Sequence, residues 1–313
     1  MTDLAWRGLT ALPDVGDTEV LQLDGNHLTD LPDLSHRGSL RELHLDGNRL
    51  TRVPDCPPHL ESLFLYGNAI AELPQTLPAS LRHLAVGGNR LTRVPDAVWR
   101  LTALESLNLA ENRITEISPA IGGLRRLRML DLGHNALSGV PDELGDLDLT
   151  DYLYLSDNGL TSVPPSLGRL DRLGYLNLTD NRLERLPDEL GDLAGLVELR
   201  LYNNLLRTVP ASFGRLGRLR ELHLQGNRID ELPASLGGLP ELRILDLRNN
   251  LLAGLPSLER VPLTHLDLRN NRLRTLPETL PLTLRKLDLR WNKLSGEPPV
   301  LDRLRALGCV VLR

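Results

Sequence analysis

The side chains of this sequence that could carry out chemistry are scattered, and their spacing decides what they could do. Four of the eight histidines recur at two places in a repeated phrase, His44 and His223 at one and His83 and His265 at the other. Each stands in a different copy, with no second ligand at metal spacing. The two cysteines, Cys56 and Cys309, lie at opposite ends of the chain without a CxxC pair, so a reducing compartment and no disulfide framework are expected. No phosphate-cradling G-x-x-x-x-G-K-[ST], no G-x-S-x-G nucleophile turn and no H-E-x-x-H is present. The expectation is a non-enzymatic chain with no catalytic residues, no metal and no cofactor.

What remains is the chemistry of recognition. "LDLRNN" stands at 245–250 and again at 266–271, and "LDLRWN" at 287–292. The phrase sets Asp246, Asp267 and Asp288 in one column and Arg248, Arg269 and Arg290 in a second. Trp291 replaces the asparagine found at 249 and 270. Two readings stay open. Alternating columns of opposite charge can neutralise each other as an exposed ladder worth little per pair, or they can present charge to a partner.

These columns exist only if an element repeats beneath them. Aligned on asparagine, the chain writes L-x-x-L-x-L-x-x-N-x-L-x-x-L-P thirteen times, closing at Asn26, Asn48, Asn68, Asn89, Asn112, Asn135, Asn158, Asn181, Asn204, Asn227, Asn250, Asn271 and Asn292. Spacings are 22, 20 and 21, then seven of 23, then 21 and 21. In this period and phrase the chain resembles the leucine-rich-repeat family over nearly its whole length. The short repeats are similar to those of bacterial effectors, and the 23-residue repeats to those of intracellular signalling scaffolds. The resemblance implies an α/β solenoid, a horseshoe with a parallel β-sheet on its concave face and short helical or extended return segments on the convex face. The ligase activity that accompanies such repeats in some effectors is not expected here.

The residues support the same fold by themselves. In "LRELHLDGNRL", Leu43-His44-Leu45 is a short strand with alternate faces in and out. Its inward leucines can be buried only against those of the next copy, so the unit is stable only in a stack. The recurrent asparagine can bond neighbouring backbone as a ladder. Return segments such as "PDELGDL" (141–147) begin with Pro and space apolar residues three apart, which predicts one helical turn. The shorter repeats are expected to return in extended form. The organisation read from these patterns is an N-terminal capping partial repeat at 1–17, thirteen repeats at 18–299 and a C-terminal cap at 300–313. In that cap Leu301, Leu304 and Leu307 suit a short helix, and Leu307, Val310 and Leu312 point inward from a final strand. Val311 and Cys309 are then expected to face outward on an open sheet edge.

The strand residues flanking the inward leucines make up roughly a fifth of the chain, yet they hold seven of the ten aromatics. These are Phe64, Tyr66, Tyr152, Tyr154, Tyr175, Tyr202 and Trp291. With strands about 4.8 Å apart, Tyr152, Tyr154, Tyr175 and Tyr202 are expected to form one patch. Tyrosine offers a large contact area at small rotamer cost, which suits partner contact; cross-strand packing alone would favour the same placement. A further column, Arg49, Arg90, Arg113, Arg182, Arg228, Arg272 and Lys293, follows the asparagines and reads either as a guide for an acidic partner or as a solvated face.

Composition limits the partner. Net charge is −5 with both signs interspersed, which argues against a nucleic-acid binder. No apolar run reaches spanning length and no signal peptide is evident, so a cytoplasmic protein without membrane contact is expected. Lysine occurs only at 286 and 293, a bias that fits a GC-rich bacterial genome. The function expected is capture of a protein partner on the concave surface. The alternatives are end-to-end self-assembly or reception of a small ligand or peptide, with the chain a monomer or a weak edge-mediated homodimer.

Overall fold

A computed structural model describes all residues, 1–313. The chain divides into two compact units, Met1–Tyr154 and Leu155–Arg313. In the first, strands β1 (Thr2–Asp3), β2 (Val20–Gln22), β3 (Glu42–His44), β4 (Ser62–Phe64), β5 (His83–Ala85), β6 (Ser106–Asn108), β7 (Met129–Asp131) and β8 (Tyr152–Tyr154) pair in parallel in chain order. In the second, β9 (Tyr175–Asn177), β10 (Glu198–Arg200), β11 (Glu221–His223), β12 (Ile244–Asp246), β13 (His265–Asp267), β14 (Lys286–Asp288) and β15 (Val310–Leu312) do the same. Each strand is one turn of a repeat solenoid.

The three-residue strands follow from the leucine pattern. The middle residue of each central strand is a leucine with essentially no exposure, and both its neighbours point away from the core. Registry is one residue per repeat, so Leu43 pairs Leu63 and Leu222 pairs Leu245. A one-residue slip would turn every leucine to solvent, which fixes the register strongly.

The asparagines form the expected ladder. Asn204 Oδ1 accepts from the Leu183 N–H at 3.0 Å, and its Nδ2 donates to the Leu178 and Leu201 carbonyls at 2.9 and 3.1 Å. Asn112 makes the same set to Leu91, Val86 and Leu109. Buried backbone left over by such short strands is thereby satisfied by a side chain of the neighbouring repeat.

The helical turns of the long repeats are 3-10 turns, closed by bonds such as Leu144 N–H to Pro141 O and Leu167 N–H to Pro164 O, both at 3.1 Å. Five residues between Pro141 and Leu147, or Pro164 and Leu170, leave room for only one tight turn, which buries Leu144 or Leu167. The exception is α1 (Asp96–Trp99), a four-residue α-turn. No helix occurs in the return segments between β2 and β5 or between β12 and β14; instead of the extended run expected, they carry single tight turns such as Leu60 N–H to Pro57 O and Leu81 N–H to Pro78 O, both at 3.1 Å.

The C-terminal end corrects one expectation. Helix α2 (Pro299–Ala306) buries Leu301 and Leu304, but Leu307 follows its last turn and is exposed. In β15 it is Val311 that pairs Leu287 and so takes the inward register. Val310 and Leu312 pair Lys286 and Asp288 on the other face, and Cys309 is buried. The sequence reading was off by one residue because Gly308, at φ +86, adds a turn between helix and strand that leucine spacing does not register. Glu297, which interrupts the leucine pattern, is held by Arg305 and Arg313.

Candidate functional site

The outward residues of the strands stack into columns because each is in register with its counterpart one repeat away. In the first unit Phe64 stacks on His44, with ring centroids 4.6 Å apart, and Tyr152 stacks on Tyr154, also at 4.6 Å and 18°. Burial, then the charges of Asp131 and Asp151, push the Tyr152 phenol above its ordinary value. Tyr66 is committed within the molecule: its hydroxyl donates to Glu111 Oε1 at 2.7 Å and its ring crosses the seat of Gly87 and Gly88, where a Cβ at Gly87 would lie 2.9 Å from the ring. That hydrogen bond, with burial and nearby carboxylates, pushes the Tyr66 phenol up to about 12.

In the second unit the Arg200 guanidinium lies over the Tyr175 ring at 5.3 Å while its Nε donates to Glu198 at 2.6 Å. Tyr202 lines a surface depression of about 690 Å³ together with Arg200, Arg248, Arg269 and Trp291. The Asp and Arg columns pair as a ladder. Arg269 binds Asp267 at 2.6 Å and reaches Asp288 on the next strand at 3.4 Å; Arg290 binds Asp288 at 2.7 Å; Arg248 lies 3.4 Å from Asp246. The aspartates also accept their own Arg248, Arg269 and Arg290 backbone N–H groups, closing each strand end. Asp288 is only 1% exposed, whereas Asp267 is about as exposed as its partner Arg269.

Two further features were not seen in the sequence reading. The residue before each ladder asparagine, counted there as part of the binding face, has left-handed backbone throughout. Its occupants include Gly25, Gly47, Gly88, Asp157, Asn203 and Asn249, and also Trp6 and Trp291, each at φ 60. The enrichment in Gly, Asn and Asp was the available signal. Trp6 lies across Gly25, where a Cβ would meet its ring at 2.4 Å, whereas Trp291 is 70% exposed with Arg290 stacked 5.5 Å from its ring centre.

The second feature is a flank of alternating charge confined to the first unit: Glu19, Arg41, Glu61, Arg82, Glu105, Arg128 and Asp151. It includes contacts of 2.7 Å for Arg82–Glu105 and 3.4 Å for Arg128–Asp151. The equivalent residues of the second unit are Gly174, Val197, Arg220, Arg243, Thr264 and Arg285, with no acid among them. In that unit Glu198, Glu221 and His223 also bring ligand-type atoms within 4.8 Å of one another. His223 Nε2 lies 3.1 Å from Glu221, and Glu198 is already taken by Arg200. No helix is long and apolar enough to cross a membrane.

Known proteins place this arrangement. The family described as leucine rich repeat matches residues 79–137, 112–160, 148–206 and 171–229, and related repeat descriptions match 39–60, 217–260, 262–282 and 281–297. An LRR protein of Leptospira interrogans is 34% identical with a TM-score of 0.87, covering 97% of this chain and 81% of its own. An internalin of Listeria monocytogenes (inlF), 20% identical, shares the fold at a TM-score of 0.79, over 94% of this chain and 86% of its own. The structure of the Arabidopsis receptor kinase HAESA in complex with the peptide hormone IDA and the co-receptor SERK1 contains a chain 27% identical, with a TM-score of 0.68 over 94% of this chain and 61% of that one. No curated protein matches. With the repeat phrase, the asparagine ladder and these matches in agreement, the chain belongs to the leucine-rich-repeat family.

Proposed function

We propose that this protein is a non-catalytic binding module that captures a protein or peptide partner on the outward, concave face of its strands. The leucine-rich-repeat fold is a typical protein-interaction module, and the HAESA structure holds a chain of this fold in complex with a peptide hormone. The observation that carries the reading is the distribution of aromatics: Tyr152, Tyr154 and Tyr175 stand at outward strand positions, and Tyr66 and Tyr202 stand two residues past their strands. Tyr152 and Tyr154 are pre-stacked and Tyr175 is fixed beneath Arg200, so contact orders few additional rotamers. The cytoplasm is the compartment proposed for it.

The test uses the immobilised full chain, native cell extract and mass spectrometry. Replacement of Tyr152 and Tyr154 by Ala, and separately of Tyr175 and Tyr202 by Ala, is expected to remove a specific captured protein while circular dichroism stays unchanged. Capture undiminished by both double variants rejects the outward face.

A second reading rests on β15, whose outer edge has no strand partner and whose Val310 is 56% exposed. Light scattering that shows a dimer in the wild type and a monomer for Val310→Lys would favour end-to-end assembly.

A further inference from the structure

Charge is divided unevenly between the two units. Met1–Tyr154 holds 22 acidic and 13 basic residues, a net −9, whereas Leu155–Arg313 holds 19 acidic and 23 basic, a net +4. The overall −5 conceals this split. The columns change character accordingly: the place occupied by Asp24 and Asp46 in the first unit is Arg248, Arg269 and Arg290 in the second.

The depression in the second unit concentrates that excess. Arg200, Arg248 and Arg269 line it together with Asp246 and His223; Arg200 and Arg248 are each the outer member of their pair, while Arg269 and Asp267 are about equally exposed. Arg248 is 39% exposed against 14% for Asp246, and Arg290 39% against 1% for Asp288. Asp246 accepts the Arg248 N–H at its strand end, and the lining of the depression sets three guanidinium groups against that one carboxylate. Tyr202 and Trp291 border the same depression with apolar area. Gln225 lies among them with its amide oxygen shut from solvent and without a hydrogen-bond partner.

The geometry points to an acidic, extended peptide segment as the occupant of this depression, its carboxylates on Arg200, Arg248 and Arg269. This rests on the partner-binding reading above and names the chemistry of the partner. Planar guanidinium groups bind carboxylates in paired hydrogen bonds. The net charge of −5 disfavours the long polyanion of a nucleic acid more than a short acidic segment. The aromatic borders suit the aliphatic stems of glutamates. The net charges of the two units act on the approach, the second attracting an acidic segment and the first repelling it.

The probe is fluorescein-labelled deca-glutamate titrated with the full chain and followed by fluorescence anisotropy. Binding is expected at low salt and its loss between about 0.1 and about 1 M salt, across which screening shortens from about 10 to about 3 Å. Arg248→Gln with Arg269→Gln is expected to weaken binding about tenfold, and the paired Lys substitutions to recover part of it. Arg93→Gln, an exposed arginine outside the strand columns, is expected to leave it unchanged. No binding of deca-glutamate, or equal binding to the Gln double variant, overturns the inference. So does tighter binding of a DNA duplex that the same substitutions abolish. If deca-glutamate fails while the tyrosine-dependent capture of a protein persists, the acidic-peptide inference alone falls; if both fail, the binding-face reading falls with it.

Discussion

The two units build the same backbone from the same leucines and asparagines and fill the free letters of the repeat in opposite ways. In Met1–Tyr154 the strand flank alternates acid and base, the left-handed seat before the early asparagines is glycine, and the Asp46 side chain bonds the Tyr66 backbone. In Leu155–Arg313 the flank has no acid, the seat is mostly Asn or Asp, and arginines stand outermost. The flank of the first unit alternates sign and that of the second does not, while the units as wholes carry net −9 and +4. What the fold demands is thus separable from what it merely permits, and only the permitted letters distinguish the units.

The most demanding test of that separation sets ladder asparagines against each other. Asn204 in the second unit is 4% exposed and Asn112 in the first is partly exposed, with the same bonds to three neighbouring backbone groups. Asn204→Ala strands those groups away from water and is expected to cost roughly 3–5 kcal/mol. At Asn112→Ala water can replace part of the lost bonding, and about 1–2 kcal/mol is expected. Urea unfolding measures both. Equal losses would mean that burial does not set the worth of a ladder position.

A smaller effect is expected at the left-handed seat. Gly226, at φ +70, would place a Cβ 2.4 Å from Asn203 Oδ1, whereas at Gly47, φ +65, the nearest atom is 3.7 Å away. Gly47→Ala meets only the backbone penalty of about 1 kcal/mol, and Gly226→Ala adds a collision, for a total of roughly 2–3 kcal/mol. Gly47→Asn is expected to cost less than Gly47→Ala, since asparagine holds this seat at 203, 249 and 270. Thermal denaturation of the three variants ranks them.

That seat also shows where sequence reading stops. Leu43, Leu45 and Asn48 were legible because each obeys a rule that acts within one repeat: alternate, bury, bond the turn. Trp291 was read as a binding letter only, because a large aromatic does not suggest positive φ; the glycines at 25, 47 and 88 in the same column did. Val311 was misplaced because a single turn at Gly308 shifts register without changing composition. The burial of Asp288 arises from Arg269 of the preceding strand and Arg290 of its own, a three-residue event spread over two repeats. The charge flank, written once every 20 to 23 residues, is visible only when the chain is read across the repeats. Local pattern gave the scaffold; sums across repeats decide the face, and those require the register in hand.

The same sums give two aspartates at equivalent strand positions opposite electrostatics, and this yields the most delicate comparison. At Asp131 in the first unit burial dominates and raises the carboxyl above its ordinary value, against one bond from the Gly133 N–H. At Asp288 in the second unit burial pushes upward too, but the Arg290 hydrogen bonds and the Arg290 and Arg269 charges outweigh it and hold the carboxyl below that value. For Asp288 the lowered value means stability that is present above the unfolded pKa of about 3.9 and lost as pH falls through the folded one. For Asp131 the raised value means stability that is present below the unfolded pKa and lost as pH rises through the folded one. Asp288→Asn is therefore expected to destabilise at neutral pH, by about 1–2 kcal/mol. Asp131→Asn is expected to stabilise by a few tenths to about 1 kcal/mol, keeping the Gly133 bond as Asn108 keeps that of Ala110. Both differences should shrink towards zero as pH is lowered through the carboxylate range, from opposite sides. Melting temperatures of the two variants and the wild type across that range measure the signs directly. A destabilised Asp131→Asn at neutral pH would show that this carboxylate is held by charge, as Asp288 is, and that the two positions do not differ in sign.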